Sequence, residues 1–233
     1  MFSSVLTLGM ATKAAASASM SLSGKNAAGE DNSFDAYQWI GFDGVENCQT
    51  LLQAGTSARL IDGKIKYEFW YEFFPEMYQI SLPVSPGNNV YVEITATSRT
   101  SDEIYLLNES TGENISYNVT TPHEPLCLNH AVWVHENPNF LENSPYWSKF
   151  TISDAFVTDE AGRDYDLAGA EGWYLSPDTN PKNFQCHPEV GSSTDVKIVY
   201  HGQKPASQGS NRRVKMAPKS GSRTSSSRNC NYW

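Results

Sequence analysis

Short runs of β-branched and aromatic residues, separated by glycine, proline and asparagine turns, fill the chain from about residue 37 to residue 200. Residues 37–42 form one such run, and the turn pair Asp43-Gly44 closes it. Residues 65–74 are strongly aromatic and end at Pro75. Residues 90–97 are rich in β-branched side chains and follow the turn-like stretch 86–89. Further strands are predicted at 104–108, 131–136, 149–157 and 195–200. No segment carries a convincing 3.6-residue apolar period, so helices are not predicted. Many short strands with turn residues between them predict an all-β fold, a sandwich or a barrel.

The two ends read differently. Residues 1–33 are rich in Ala, Ser and Gly and show no sustained period. They are expected to form a low-complexity segment ahead of a domain spanning 34–202. Residues 203–233 are rich in Ser, Lys and Arg, with almost no apolar side chains before Tyr232 and Trp233. Such a stretch buries too little surface to offset its ordering entropy, and a disordered basic tail is expected.

Composition narrows the function. With 39% hydrophobic and 12% aromatic residues in 233, the chain can bury a large core; 18% charged residues is too few for a coiled coil. No apolar run reaches the roughly 20 residues that span a bilayer, so no membrane association is expected. Seven of the 17 Lys and Arg fall in 201–233, leaving residues 1–200 with ten basic and 26 acidic side chains. That acidic body repels the anionic backbone of nucleic acid, which is excluded as a partner. Three glycosylation sequons, at Asn108, Asn114 and Asn118, crowd thirteen residues and favour an exposed, secreted segment and an extracellular protein. The N-terminus is a weak signal peptide: residues 5–11 are a short apolar run that no positive residue precedes and Lys13 cuts off. Four cysteines (Cys48, Cys127, Cys186, Cys230) allow one or two bridges.

Three segments carry a resemblance. Trp39-Ile-Gly-Phe-Asp-Gly44, then Cys48 and Leu51-Leu-Gln53-Ala-Gly55, is similar to the W-V-G-I-D-G, Cys and L-Q-T-G run of the glutamic peptidases, or eqolisins. Phe69-Trp-Tyr-Glu72-Phe-Phe-Pro75-Glu76 resembles the A-W-Y-E-W-Y-P-E loop of that family. Cys127-Leu-Asn-His-Ala131-Val-Trp-Val-His-Glu136 resembles its C-x-x-N-A-E-[WF]-I-x-E strand. Order and spacing agree from about residue 37 to 157.

The resemblance implies two antiparallel sheets packed as a bent, concanavalin-like β-sandwich, and a monomeric acid endopeptidase that acts on polypeptides without cofactor or metal. It implies Gln53 and Glu136 as the catalytic pair and Trp39 as a cleft residue, although a core anchor explains that tryptophan equally well. Glu68, Tyr71 and Glu72 would support the site, with the loop around 71–76 as a flap. Cys48 and Cys127 lie just ahead of Gln53 and Glu136, and a bridge between them would tie the two strands together. Three departures accompany the match. The family's N-terminal strand is not recognisable before residue 33, Val132 and Ser57 stand where acidic residues are usual, and the basic tail is foreign to the family domain.

A Glu–Gln pair suits acid hydrolysis on physical grounds. A carboxylate can take a proton from water, and a neutral amide can donate to a developing oxyanion at any pH. A carboxylate with a free pKa of ~4.3 still ionises where a histidine base would be protonated. On an extended strand Glu136 and His135 point to opposite faces, which argues against a shared metal site. Two alternatives share the fold: an inactive relative and a carbohydrate-binding sandwich.

Overall fold

The computed structural model describes residues 2–7, 11–19, 22–26, 35–61, 64–122, 124–136, 145–147, 150–176, 186–190, 192–200 and 212–215. The strands come in chain order as β1 (Phe2–Thr7), β2 (Ala11–Ser19), β3 (Leu22–Asn26), β4 (Asp35–Asp43), β5 (Leu51–Ile61) and β6 (Lys64–Phe73). Next are β7 (Glu76–Ile80), β8 (Asn89–Ala96), β9 (Ser101–Asn108), β10 (Glu113–Thr120), β11 (His130–Glu136) and β12 (Pro145–Trp147). The series closes with β13 (Phe150–Asp159), β14 (Asp164–Tyr165), β15 (Glu171–Ser176), β16 (Cys186–Val190), β17 (Val196–Tyr200) and β18 (Arg212–Lys215). A single 3-10 turn at Leu167–Gly169 is the one helical element among the described residues. No helix there is long and apolar enough to cross a membrane.

Two antiparallel sheets make the predicted sandwich. The first runs β18–β15–β1–β11–β4–β5–β6–β7 and the second β10–β9–β8–β2–β13–β17–β16, with β14 beside β13. Alternation along the strands decides what lies between them. On β8 and β9, Val92, Ile94, Ile104 and Leu106 point inward and are almost fully buried. Phe42, Leu52, Phe69 and Trp133 meet them from the first sheet. The opposite face of the first sheet is also apolar: Tyr37, Trp39, Trp70, Val132 and Val134 form a second cluster with Val45. Strand β4 is therefore buried along almost its whole length instead of at every other residue.

Each predicted strand overlaps an observed one, four of them overrunning it by one residue at an end, but several observed strands carried no clear signal. Residues 1–33 are not simply a segment ahead of the domain. Strand β2 lies between β8 and β13 in the second sheet, and β1 pairs with β11 in the first. The reason is size complementarity: Ala14 and Ala16 pack in the core, and the Trp133 indole donates to the Ala15 carbonyl at 3.2 Å. Small side chains on β2 make room for large ones opposite, and alanine is a poor strand former in isolation. In the tail, β18 pairs with β15, a difference from the disorder expected there. The remainder of 203–233, including Cys230, lies outside the described residues.

Strand β5 was likewise hidden. Its Gln-Ala-Gly-Thr-Ser-Ala stretch has little β propensity. Gly55 is required there: a Cβ at this position would sit 1.9 Å from the Gln38 carbonyl oxygen on β4. That close approach lets β4 and β5 run side by side beneath two tryptophans.

Candidate active site

The second face of the first sheet is the floor of a cleft of about 470 Å³. Register explains which side chains meet on it. Val132, Gly41, Gln53, Glu72 and Met77 form one row across β11, β4, β5, β6 and β7. Val134, Trp39, Gly55 and Trp70 form the next, and Glu136 stands beyond them opposite Tyr37. Because side chains alternate, all of these project from the same face. Gln53, Glu72, Trp39 and Glu136 all line the cleft. Its rim is the β6–β7 hairpin, where Phe74 is 59% and Met77 42% exposed beside the opening.

Gln53 and Glu136 are each held by a neighbour in this apolar floor. The Gln53 amide NH₂ donates a short hydrogen bond to Glu72 Oε2, while Gln53 Oε1 is buried with no hydrogen-bond partner among the described residues. An amide nitrogen carries two N–H groups, so one remains for another acceptor. The Trp39 indole N–H donates to Glu136 Oε2 at 2.9 Å. Burial pushes the Glu136 carboxyl above the ordinary carboxylate range, and the Trp39 hydrogen bond works against that rise. Glu72 is raised too, first by burial and then by the Glu136 charge, with the Gln53 hydrogen bond opposing. Glu72 and Glu136 line the same cleft, which is why Glu72 feels the Glu136 charge. The Trp70 Nε1–H, also buried in the cleft wall, has no acceptor among the described residues.

The ends of the carrying strands are locked together behind the cleft. Asp43, fully buried at the end of β4, accepts from the backbone N–H groups of Cys127, Leu128, Asn129 and His130 at 2.8 to 3.3 Å. Asp43 and Gly44 both have positive φ, 66° and 73°, the turn expected of the Asp-Gly pair. Cys48 and Cys127 form a disulfide. The start of β11 is thus fixed to the β4–β5 connection, which positions Glu136 relative to Gln53.

Of the residues singled out from sequence, Gln53, Glu136, Trp39 and Glu72 come together. Glu68 shares their face but lies outside the cleft lining and pairs with Arg59, Oε2 to Nη1 at 3.7 Å. Tyr71 is not brought to the cleft with them: its neighbours Trp70 and Glu72 face the cleft, and it packs on the core side of the sheet. It stacks on Tyr78 at 5.0 Å and approaches Tyr117 at 5.9 Å. His135 also turns from the cleft and is buried, its Nδ1 accepting from Gln38 Nε2 at 3.1 Å. Burial lowers its pKa to about 3, so it is neutral above that pH. Sequence reasoning missed Trp70, Val45 and Val134 as cleft residues, although the period-two spacing from Glu72 and Glu136 contained that information for two of them.

The Peptidase A4 family model matches residues 7–200. Aspergillopepsin-2 from Aspergillus niger is 31% identical over 112 residues, covering 46% of this chain and 39% of that protein. Scytalidopepsin B from Scytalidium lignicola is 33% identical over 103 residues, covering 42% and 38% respectively. The chain therefore spans about two fifths of the length of the curated relatives it matches. Among solved structures, scytalido-glutamic peptidase with a transition-state analog inhibitor superposes with a TM-score of 0.68 at 25% identity, covering 85% of this chain and 97% of that one.

Proposed function

The chain belongs to the peptidase A4 family, the eqolisin-type glutamic peptidases, and we propose that it is an acid endopeptidase in which Glu136 activates water and Gln53 holds the oxyanion. The observation that carries this reading is the shared cleft: both side chains rise from one sheet face, each held by a second group. In the ionised state Glu136 takes a proton from water as the water oxygen attacks the scissile carbonyl carbon. The carbonyl oxygen becomes an oxyanion and accepts the free N–H of Gln53. The tetrahedral species then collapses, the C–N bond breaks, and protonated Glu136 gives its proton to the leaving amine. Glu72 orients the amide, and Trp39 favours the charged carboxylate. The apolar walls at Leu51, Val132, Val134 and Trp70 suit an extended polypeptide with apolar side chains next to the cleaved bond.

Cleavage of an unfolded protein by the purified chain, followed from strong acid to neutrality, tests this directly. Glu136→Gln should lose roughly 10²- to 10⁴-fold in kcat, the usual worth of a positioned general base. Gln53→Ala should lose roughly 10²- to 10³-fold, as for other oxyanion donors. Both variants should keep the wild-type circular dichroism spectrum. Undiminished turnover by folded Glu136→Gln would refute the assignment.

A further inference from the structure

The three sequons have very different surroundings once folded. Asn108 ends β9 and is 1% exposed. Its Nδ2 donates to the Pro83 carbonyl at 2.9 Å and to Asn88 Oδ1 at 3.0 Å, and its Oδ1 accepts from the Ser110 N–H at 3.1 Å. An N-glycan replaces one of the two amide hydrogens, and here both are engaged in a site with no room. Asn108 is a turn-holding residue, buried where an attached sugar would have no space.

Asn114 and Asn118 are the opposite case. Both are exposed on β10, where Ile115, Tyr117 and Val119 alternate toward the core. The outward face carries Asn114, Ser116, Asn118 and Thr120, so each sequon presents its asparagine and its hydroxyl on the same side. Strand β10 pairs with β9 in full register from Glu113 to Thr120 and ends the second sheet. Among the described residues no strand pairs with its other edge, a row of backbone groups that a strand from another molecule could join. The two asparagines are four residues apart, about 13 Å along a strand, room enough for a glycan on each.

We propose that Asn114 and Asn118, and not Asn108, carry N-linked glycans, and that the pair covers the open β10 edge of the sandwich against strand addition. The inference rests on the reading that the chain is secreted. It is independent of the peptidase assignment.

The full chain, secreted by yeast behind a heterologous leader, provides the test. Treatment with a glycoamidase, which hydrolyses the glycosylated side-chain amide and leaves Asp in place of Asn, followed by peptide mass spectrometry, should mark positions 114 and 118 and leave 108 as Asn. Asn114→Gln and Asn118→Gln should each remove one glycan-sized step in electrophoretic mobility, and the double variant both. Unmodified 114 and 118 in the secreted, folded protein, or a glycan on Asn108, would overturn the site assignment. Light scattering tests the second part: deglycosylated protein and the double variant should associate at concentrations where the glycosylated protein stays monodisperse. Equal association of the two forms would overturn the edge-covering role.

Discussion

Asp102 offers the sharpest quantitative test of the fold. It sits on β9 with the core residues Ile104 and Leu106, is 2% exposed, and neither carboxylate oxygen has a hydrogen-bond partner among the described residues. Burial, and secondarily the charge of Asp43, push its carboxyl from 3.8 up to about 7. A shift of about three units corresponds to about 4 kcal/mol at ~1.36 kcal/mol per unit. The sign follows from proton binding. Below pH ~4 Asp102 is protonated whether the chain is folded or not, and the group has no effect on pH dependence. Between there and pH 7 the unfolded chain releases this proton while the folded one keeps it. Folding stability therefore falls with rising pH, by up to about 4 kcal/mol from this group. Asp102→Asn keeps the shape and removes the titration. Urea unfolding of both proteins at several pH values should show similar stabilities in acid. Near neutrality the variant should be more stable by up to about 4 kcal/mol. The side chain lies outside the cleft, so specific activity in acid should be unchanged. A stability difference that stays constant with pH would refute the reasoning.

Three further outcomes follow from the site geometry. Trp39→Phe removes the donor that lowers the Glu136 pKa, so the acid limb of the pH–rate profile should move to higher pH; an unmoved limb would show that the bond does not tune the carboxylate. Replacing Cys48 and Cys127 by alanine opens a loop with a sequence separation of 79. Chemical denaturation should report a loss of roughly 4 kcal/mol, as the chain-entropy account requires. Gly55→Ala forces a methyl group to 1.9 Å from a backbone oxygen that cannot rotate away. Its melting temperature should fall together with its turnover, because β4 and β5 carry Trp39 and Gln53; the loss should reach about 1–3 kcal/mol, typical of overpacking.

The limits of the sequence are physical ones. Strands β4, β6, β8 and β9 are legible because they hold large β-branched and aromatic residues in runs bounded by turns. Strands β2 and β5 are not, because their work is done by what they lack: alanines opposite Trp133, and a glycine where two backbones touch. Gln53 was singled out by its motif alone, since nothing in the polarity of β5 distinguishes it. Tyr71 packs on the core side of the sheet, and alternation already separated it from Glu72. Asn108 matched a modification motif, but a motif carries no measure of exposure.

Burial on both faces is what links these failures to the site. A sheet that packs on one side alternates polar and apolar residues, and an exposed glutamine or glutamate on it carries no information. Strands β4, β5, β6 and β11 do not alternate in that way. Their second face holds Trp39, Trp70, Val132 and Val134, with Gln53, Glu72 and Glu136 set into it at matching parity. A polar group in such a place is desolvated unless something binds it, and the fold provides Trp39 for Glu136 and Glu72 for Gln53. What those partners leave over is one amide N–H and an ionisable carboxyl facing an apolar cleft of about 470 Å³. The same desolvation that raises the pKa of Glu136 makes it a stronger base toward water once it is ionised. The pairing of a hydrophobic second face with isolated, individually held polar residues is therefore the physical content behind the sequence motif, and it explains why the motif spans four strands instead of one.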